Sequence, residues 1–400
     1  MSCMDFLGKL LDGVVVEWKP LSILEDSGVL KLGRGNVISK SDLSSLPGDY
    51  PVYSSSASGN GIFGRYGKFM FEDERITWSI DGGGRFFHRQ AHRYSVTNVC
   101  GWLSVKNTTV LNTRFLFHVL SGAWETKVFD YTKKAHPSVI RDEYIVPVPS
   151  LEIQEKIVRI LDSFTELTTE LTTELTARKK QYNHYRDKLL SFEDGEVEWK
   201  TLGDVCQIGD GNHSSKYPRS DEMVDQGVPF IRGTNMVEGT ISWQDMKFIS
   251  PEKHQELKKG HLKAHDVLIA NRGEIGKISQ VPEQFSGSNL NSQLAWLRAK
   301  QESILPRYLY YALNASHVQS EINGEGGALQ QLTIKNIKLI RIPVPSLNEQ
   351  ARIVAILDKF DALTNSITEG LPREIELRQK QYAHYRDLLL SFPEPDEVEA

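Results

Sequence analysis

The sequence predicts an α+β protein in which two mixed α/β domains alternate with two long helices. Three observations lead to this fold class. The chain of 400 residues contains an internal repeat whose period is close to half its length. The repeated segments carry apolar residues at a helical period. The segments between them are rich in Gly, Ser and Asn and contain short β-type runs.

The repeat is clearest where a proline-rich strand leads into a helix. Residues 146–151 recur as residues 342–347, which lie 196 positions later. Residues 180–192 recur with two changes as residues 380–392, at an offset of 200. The second copy therefore holds four extra residues, around 370–373. We conclude that the chain is two diverged copies of one unit, a domain followed by a helix.

Each repeated helical segment predicts a coiled-coil seam. In the first copy the mean apolar spacing is about 3.5 residues, and a helix from about 152 to 191 would be roughly 60 Å long. In the second copy Gly370 and Pro372 predict a kink or break, with Pro372 as the first helical residue. Antiparallel pairing of the helices would place the domains at opposite ends in a circular, pseudo-two-fold arrangement. The seam positions of the first copy are Ile153, Ile157, Ile160, Phe164, Leu167, Leu171, Leu175, Tyr182, Tyr185, Leu189 and Phe192.

The repeat also sets the predicted domain boundaries. Residues 17–19 and 198–200 share the sequence Glu-Trp-Lys, which we interpret as the first strand of each domain, and Trp102-Leu103 matches Trp296-Leu297. The expected divisions are a first domain at 1–150, a first helical spacer at 151–195, a second domain at 196–345, a second helical spacer at 346–392 and a tail at 393–400 that closes against the N-terminus.

Composition favours a soluble cytoplasmic protein. No apolar run approaches the roughly 18 residues of a membrane span, and the N-terminus lacks the features of a signal peptide. Cys3, Cys100 and Cys206 are too far apart for a disulfide framework or a zinc site, which is typical of a reducing compartment. We therefore expect no association with a membrane.

The charge distribution is compatible with nucleic-acid binding although the net charge is −5. Residues 21–150 carry 15 Lys and Arg against 12 Asp and Glu, and residues 200–342 carry 17 against 15. The predicted helical segments are acidic, with 7 against 11 in 151–199 and 6 against 11 in 343–400. Binding to phosphate requires local positive charge, so the two domains are the candidate DNA-binding regions.

Motifs for independent catalysis are absent or lack their structural context. Residues 59–64 fit a glycine-rich dinucleotide fingerprint, but the following segment does not read as a helix. Residues 272–277 lack the spacing of a phosphate-binding P-loop, and no Asn/Asp-Pro-Pro-aromatic methylase motif occurs. Glu198-Trp199-Lys200 echoes a nuclease Glu-x-Lys, yet it repeats at the start of both domains. We predict that the chain itself is not an enzyme.

Two histidine pairs have a spacing that binds metal on a helix. They are His88 with His92 and His261 with His265. Neither pair has a third ligand nearby in the sequence, so we interpret them as solvated histidines and predict no metal site.

The layout and the helical repeats resemble the specificity subunits of type I restriction–modification systems, over nearly the whole chain. Residues 364–382 are close to the second conserved region of the type IC group, and residues 165–175 look like that group's central four-residue repeat. The group usually has Ala where Thr169 and Thr173 stand. The resemblance implies a bacterial protein with two target-recognition domains, each reading one half of a split DNA site.

The resemblance also implies partners and cofactors. It implies double-stranded DNA, two modification subunits that methylate adenine with S-adenosylmethionine, and two restriction subunits that use ATP and Mg²⁺ to translocate and cut. On this basis the cofactors belong to the partner subunits, and the chain itself binds none.

Polar residues in loops of the two basic blocks are the candidate DNA contacts. Arg suits guanine, and Asn or Gln suits adenine, through paired hydrogen bonds in the major groove. Each candidate is equally open to interpretation as a phosphate contact or an ordinary surface residue. The candidates are Ser54, Ser56, Asn60, Arg65, Arg85, Arg89, Lys133, Lys134 and His136 in the first domain, and His213, Lys216, Arg232, Asn235, Asn271, Arg272, Asn291, Gln293 and Gln330 in the second.

The helices carry two further hypotheses. The four-residue repeat is interpreted either as a plain amphipathic helix or as a ruler, and its residues are Thr165, Leu167, Thr169, Leu171, Thr173 and Leu175. The repeated helix ends are interpreted either as coiled-coil packing or as two equivalent partner surfaces, and their residues are Gln181, Tyr182, Tyr185, Arg186, Gln381, Tyr382, Tyr385 and Arg386.

Two other classes of function remain open at this point. A coiled-coil adaptor that joins two protein-binding domains would show no salt-dependent affinity for DNA. A stand-alone nuclease or methyltransferase would need the catalytic motifs that the sequence lacks.

Overall fold

The chain divides into two compact units. The structure is a computed structural model that describes residues 16–55, 60–81, 83–129, 133–193, 195–213, 217–323, 331–365 and 370–392. The first unit combines the described residues up to Thr169 with those from Leu377 onward, and the second comprises Glu170–Glu376. Both divisions fall inside helices, so each predicted helical spacer contributes to both units. The predicted tail at 393–400 lies outside the described residues.

The first unit consists of short strands and short helices in addition to its parts of the long helices. Its strands are β1 (Glu17–Pro20), β2 (Leu30–Arg34), β3 (Tyr50–Tyr53), β4 (Ile62–Tyr66), β5 (Arg75–Ser79), β6 (Phe86–Arg89), β7 (Ser95–Val96), β8 (Cys100–Val105) and β9 (Ile145–Val148). Its short helices are α1 (Leu21–Asp26), α2 (Lys40–Ser45), α3 (Thr113–Trp124) and α4 (Pro137–Glu143), after which α5 (Leu151–Leu189) continues into the second unit.

The second unit has a similar set of elements. Its strands are β10 (Glu198–Thr201), β11 (Cys206–Asp210), β12 (Met223–Val224), β13 (Val228–Ile231), β14 (Met236–Val237), β15 (Thr240–Ile241), β16 (Lys247–Ile249), β17 (Val267–Ala270), β18 (Ile278–Gln280), β19 (Asn289–Leu290), β20 (Leu294–Ala299) and β21 (Arg341–Val344). Its helices are α6 (Leu202–Val205), α7 (Pro251–Glu256), α8 (Pro306–Asn314), α9 (Ser316–Asn323), α10 (Ile334–Leu339) and α11 (Leu347–Asn365), and α12 (Gly370–Leu389) leads back to the first unit. Short 3₁₀ helices lie at Ser220–Glu222, Gly233–Asn235 and Glu283–Phe285.

The two units share a sheet topology. An antiparallel four-stranded sheet has the order β2-β8-β5-β6 in the first unit and β11-β20-β17-β18 in the second. A second sheet pairs β3 with β7 in the first unit and β13 with β19 in the second, and both pairs are parallel. The two Glu-Trp-Lys strands pair with the proline-rich strands in the same register, Glu17 opposite Val148 and Glu198 opposite Val344. The predicted α+β class with two repeated mixed domains is confirmed.

One tryptophan in each four-stranded sheet explains a repeated glycine. Trp102 of β8 lies opposite Gly33 of β2, and Trp296 of β20 lies opposite Gly209 of β11. A Cβ atom would lie 2.5 Å from the Trp102 ring at Gly33 and 2.6 Å from the Trp296 ring at Gly209. Each indole therefore covers a neighbouring strand that has no side chain at that position.

Each core joins a sheet to the long helices. In the first unit Phe115 of α3 packs in one buried cluster with Ile157 and Leu161 of α5 and Leu389 of α12. In the second unit Tyr308 of α8 packs in the matching cluster with the corresponding α11 residues Ile353 and Leu357. Burial of each such side chain contributes about 1.5–3 kcal/mol.

The long helices follow the predicted pattern, with one correction. Helix α5 has 39 residues, whereas the second copy is described as α11, up to Asn365, and α12, from Gly370, whose φ is not that of a right-handed helix. The predicted break is therefore confirmed. Pro372 is the third residue of α12 and not the first, a position that still requires no intrahelical N–H bond. Gly370 has φ of +77°, and a Cβ there would lie 2.6 Å from the Ala362 carbonyl oxygen.

Each unit pairs the first part of one helical repeat with the last part of the other. In the first unit Phe164 of α5 stacks on Tyr385 of α12, with ring centroids 5.0 Å apart. In the second unit Tyr185 of α5 stacks on Phe360 of α11 at 5.5 Å. Phe164 and Phe360 are repeat equivalents, as are Tyr185 and Tyr385. Each unit therefore contains helix segments from both repeats, as antiparallel pairing predicted.

A buried glutamine ties each long helix to its unit. Gln154 accepts a hydrogen bond of 2.8 Å from the backbone N–H of Asn112 and donates to two backbone carbonyls at 3.0 and 2.8 Å. Gln350 accepts one of 2.8 Å from the N–H of Leu305 and also donates at 3.0 and 2.8 Å. Both side chains are fully buried. The repeated polar residue therefore satisfies backbone groups of the loops beside each core.

An aspartate on α5 anchors α3 in the first unit. Asp162 accepts hydrogen bonds from Arg114 Nε at 2.7 Å and from His118 Nε2 at 3.0 Å. The other ring nitrogen of His118 shares a hydrogen bond of 2.9 Å with the Tyr382 hydroxyl. Burial lowers the pKa of His118, although Asp162 opposes that shift. Burial alone would raise the pKa of Asp162, but the bonds from His118 and Arg114 outweigh it and lower that pKa.

The equivalent aspartate anchors α8 in the second unit with different partners. Asp358 accepts from Arg307 Nε at 2.7 Å and from the Tyr311 hydroxyl at 2.6 Å. Arg307 also bonds Asp361 at 2.5 Å, so its guanidinium has two carboxylate partners. A tyrosine therefore takes the place that a histidine has in the first unit.

Candidate nucleic-acid interface

Loops gather at one end of the four-stranded sheet in the second unit. Strands β11 and β17 end where β20 begins, and β13 and β19 end beside them. The N–H of Asn271 donates to the Gln293 carbonyl at 3.0 Å, and the N–H of Asn291 donates to the Ile231 carbonyl at 2.9 Å. We call residues 211–213, 232–235, 271–277 and 291–293 the loop end of the second unit.

The first unit has the same loop end. The N–H of Ile80 donates to the Val99 carbonyl at 3.0 Å, and the N–H of Thr97 donates to the Tyr53 carbonyl at 2.9 Å. We call residues 35–36, 54–55, 80–81, 83–84, 97–99 and 133–136 the loop end of the first unit. Candidates that were scattered along the sequence, such as Ser54 and Lys134, therefore lie in one group of loops.

A matched contact crosses each loop end. The N–H of Ala135 donates to the Ile80 carbonyl at 3.1 Å, and the N–H of Leu332 donates to the Asn271 carbonyl at 2.9 Å. The residues beside these backbone bonds pair through their side chains, Lys134 with Asp81 at 2.9 Å in the first unit. In the second unit Arg272 Nη2 donates to Gln331 Oε1, also at 2.9 Å. The two units thus place different polar side chains on the same backbone frame.

Sequence reasoning missed Asp81 and Gln331. Both are recognisable only through the repeat, because each loop passes from a buried strand to a polar residue and then to Gly, at Asp81-Gly82 and at Arg272-Gly273. Aligning the two strand ends would have placed Asp81 opposite Arg272. Gln331 then follows as the repeat partner of Lys134.

Several other candidates are exposed at the loop ends. Gln293 and His213 are exposed, and His213 pairs with Asp210 at 3.1 Å. Lys133 is exposed and pairs with Glu143 at 2.7 Å. These side chains are positioned to meet a ligand at the loop end.

Three asparagines are buried instead, which corrects the prediction that they contact bases. Asn235 is fully buried and donates to the Gln244 carbonyl at 2.9 Å. Asn291 is 5% exposed and accepts from the Gln293 N–H at 3.2 Å. Asn271 is 2% exposed. Their amides support the loops that carry the exposed residues.

The remaining candidates have mixed positions. Ser54 is half-buried and bonds Thr97 Oγ1 at 2.9 Å, and His136 accepts from the Ser138 N–H as the N-cap of α4. Arg65 and Arg232 donate to the backbone carbonyls of nearby loops. The candidates Ser56, Lys216 and Gln330 lie outside the described residues.

A basic groove of about 690 Å³ lies beside the edge strand β6 in the first unit. Phe87 and Arg89 alternate along β6 and so share one face of the strand, and Arg85 immediately precedes it. The Arg85 and Arg89 guanidinium groups lie 5.4 and 4.8 Å from the centroid of the Phe87 ring. Arg114 of α3 and Arg386 of α12 line the same groove.

Arg89 is buried in the wall of this groove, so the prediction that it reads a base is corrected. Its side chain donates to Thr77 Oγ1 at 3.0 Å and to the Asn60 carbonyl at 2.9 Å, and it lies 3.6 Å from the Tyr53 ring centroid. Burial lowers its pKa. None of the ion pairs among the described residues includes Arg89, although it is only 7% exposed.

Three of the eight candidate partner-surface residues are internal to the units. Tyr182 is 6% exposed in the second core, and the Tyr382 hydroxyl is bonded to His118. Arg386 is 4% exposed and forms two hydrogen bonds with the Glu125 carboxylate, at 2.7 and 2.8 Å. We therefore interpret these three residues as part of the helix packing and the cores, and not as part of a partner surface.

The other helix-end residues keep some exposure. Tyr185 and Tyr385 form the aromatic stacks already described, and Arg186 pairs with Asp187 at 3.0 Å. Gln181 accepts from Arg178 and Gln381 accepts from Arg378, each three residues earlier on the same helix.

The four-residue repeat is regular helix. Leu167, Leu171 and Leu175 are half-buried, and Thr165, Thr169 and Thr173 are exposed. The repeat lies wholly within α5, so its length adds directly to the helix.

The histidine pairs lie off regular helices. His88 is in β6 and bonds Glu74 at 2.6 Å, while His92 stacks on Tyr94. In the described parts of the chain, no group of three or more His, Cys, Asp or Glu could hold a metal ion. None of the helices in the described ranges combines the length and hydrophobicity of a membrane span.

Comparisons with known proteins agree on one family. A model of the type I restriction modification DNA specificity domain matches residues 16–179 and again residues 195–377. The specificity subunit of the type I restriction enzyme EcoR124I/EcoR124II of Escherichia coli is 35% identical over all of both chains. A putative type I restriction enzyme specificity subunit of Haemophilus influenzae is 33% identical over 97% of this chain and 98% of its own.

Solved structures show the same fold. The S subunit of a type I restriction–modification system from M. genitalium superposes with a TM-score of 0.55 at 17% identity, over 96% of this chain and 98% of its own.

Proposed function

This chain belongs to the type I restriction–modification DNA specificity family and determines DNA sequence specificity through two target-recognition domains, and from that premise we propose that the two loop ends contact the bases. Each loop end reads one half of a split site. The single observation that carries this proposal is the matched contact of Lys134 with Asp81 and of Arg272 with Gln331.

The chemistry of the matched contacts suits base recognition. Arg and Lys donate to the O6 and N7 atoms of guanine, Gln pairs with adenine, and Asp accepts from the amino group of cytosine. The first unit offers Lys and Asp where the second offers Arg and Gln. Equal backbone frames with unequal side chains would let the two units read different half-sites.

We also propose the partners and chemistry of the assembled complex. Two modification subunits and two restriction subunits would bring S-adenosylmethionine, ATP and Mg²⁺, methylate adenine and cleave unmodified DNA. This chain would supply the sequence selection and the scaffold, without a catalytic group of its own. Two repeated helix ends support two copies of each partner.

The proposal is tested by mapping N6-methyladenine in DNA from cells that express the chain with its modification subunit. We expect a split motif that disappears without the chain. Arg272→Ala should relax one half of the motif and Lys134→Ala the other, each leaving the gap between the halves unchanged. Arg352→Ala removes an exposed arginine from α11 and serves as the control. No chain-dependent motif would contradict the function, and an intact motif in both variants would contradict the assignment to the loop ends.

We further propose that the four-residue repeat in α5 is a ruler. Four residues add about 6 Å of helix, close to two base pairs of rise. Deletion of residues 169–172 should shorten the gap between the half-sites by one or two base pairs without changing the bases read. A motif with an unchanged gap in the deletion strain would refute the ruler.

A further inference from the structure

We infer that Arg85, Phe87 and Arg89, which lie on and just before β6, form with their groove a phosphate-binding site for the DNA backbone, beside the loop end and distinct from the residues proposed to read bases. The inference rests on the proposed function, because it assigns a second kind of DNA contact to the first unit. It also predicts an asymmetry, since the described residues at the matched strand of the second unit do not repeat the two arginines.

The first argument is the uncompensated charge of Arg89. The cations Arg114 and Arg386 in the groove are already paired, with Asp162 and with Glu125. The identified partners of Arg89 are instead all uncharged: Thr77, the Asn60 carbonyl, the Tyr53 side chain and the Phe87 ring. A buried cation without a counter-charge is unfavourable, and an anion in the groove would offset that cost.

The second argument is the arrangement of the two guanidinium groups on the strand. Arg85 is exposed, Arg89 is buried, and both lie over the ring of Phe87 between them. Stacking on an aromatic ring restrains a guanidinium in one plane and so fixes the orientation of its N–H groups. Arginine donors in that geometry match the oxygens of a phosphate group.

The third argument comes from the matched strand of the second unit. The cross-strand registers equate Phe87 of β6 with Ser279 of β18, because their partners Thr77 and Leu268 both lie opposite the sheet tryptophan. The residues that correspond to Arg85 and Arg89 are then Lys277 and Val281. Lys277 is paired with Glu274, and Val281 is buried and uncharged. The phosphate site is therefore a feature of the first unit alone.

The occupant that fits the groove is a nucleic-acid backbone. The groove contains arginine side chains from β6, α3 and α12, and among its lining residues only Glu125 is acidic. Because this chain belongs to a DNA specificity family, a DNA phosphate is the anion that we expect to bind in this groove. An acidic segment of a partner protein is the alternative that the experiment must exclude.

The experiment measures DNA binding by the complex of the full chain with its modification subunit. Two duplexes are compared, one with the motif mapped for the wild-type complex and one without it, over a series of salt concentrations. Arg85→Gln should weaken binding to both duplexes by a similar factor and reduce the slope of log K against log salt by about 0.9 for each phosphate lost. The methylated motif should stay unchanged. Phe87→Leu, which keeps both charges but removes the ring, should weaken binding in the same sequence-independent way.

Arg352→Gln is the matched control, because it removes one positive charge from an exposed position of α11 that belongs neither to a loop end nor to the groove. Its salt slope should equal that of the wild type. An equal change of slope in both variants would assign the effect to net charge and overturn the site. Loss of affinity for the motif duplex alone would make Arg85 a base contact, and loss of complex assembly with an unchanged salt slope would indicate a protein occupant. Either result overturns the inference. If the wild-type complex prefers neither duplex, the proposed function fails instead.

Discussion

The two units hold their long helices in the same way but present different side chains at their loop ends. Gln154 and Gln350 form the same three hydrogen bonds, and Asp162 and Asp358 receive the same arginine contact at 2.7 Å. At the loop ends, by contrast, the first unit has a Lys–Asp pair where the second unit has an Arg–Gln pair. The repeated glutamines and aspartates therefore position each domain on its helix, whereas the loop-end residues differ between the two units.

The largest expected effect is removal of a buried glutamine. Gln154→Ala would remove the side-chain partner of three backbone groups, of which the Pro149 carbonyl is buried and the other two are partly buried, so we expect the free energy of unfolding to fall by about 2–3 kcal/mol. Gln350→Ala should cost the same, because its hydrogen bonds are the same. Chemical denaturation measures both, with the exposed Gln381→Ala as control. Clearly unequal losses would show that the two attachments are not equivalent.

A smaller effect should distinguish the two aspartates. Asp162→Asn leaves Arg114 without its carboxylate, whereas after Asp358→Asn the guanidinium of Arg307 still has Asp361. We expect about 1–2 kcal/mol for Asp162→Asn and about half of that for Asp358→Asn, since both carboxylates are partly solvated. Hydrogen-exchange protection of α3 and α8 measures each anchor separately. Equal loss of protection in the two variants would contradict the role given to Asp361.

The smallest effect is a pH dependence of the first unit alone. Burial lowers the pKa of folded His118 below its ordinary value of 6.5, so the unfolded chain takes up the proton first as the pH falls. The contact of His118 with Asp162 and Tyr382 is therefore fully stabilising above pH 6.5. The nearby side chains of Arg114 and His88 also lower the pKa of His118. The contact weakens as the pH falls from 6.5 toward the folded pKa. Tyr311 has no such transition, because burial raises its pKa.

Hydrogen exchange between pH 7 and 5.5 tests this difference. Protection of α3 should decrease relative to α8 as the pH falls, and His118→Gln should abolish the relative change. A parallel decrease in both helices, or one that persists in His118→Gln, would assign the effect to other groups.

The sequence was sufficient for the architecture because the architecture repeats. The helix predicted at about 152–191 is α5, and Gly370 marks the break between α11 and α12. Periodicity and helix-breaking residues are local properties, so one sequence carries them. The exchange of helix segments followed from the assumption that the two repeated helices pair antiparallel.

The candidate site was less predictable because polar burial depends on distant contacts. Arg386 is buried by Glu125, which is 261 positions away, and Arg89 by Tyr53 on another strand. No local pattern separates these arginines from exposed Arg272. The recurrence of Gln154 at Gln350 was a usable signal that we did not exploit, since a polar residue repeated among apolar core positions indicates a buried role.

The exchange of helix segments also has a consequence for synthesis on the ribosome. The second unit is one continuous stretch, Glu170–Glu376, so all of its core exists as soon as that stretch has emerged. The first unit must wait for Leu389, which packs with Phe115 and Leu161, until the whole second unit has been translated. During that interval the nascent first unit exposes an apolar surface that chaperones bind and that favours aggregation. Slow translation of the second unit would lengthen this exposure, so codon usage there should affect the yield of folded first unit.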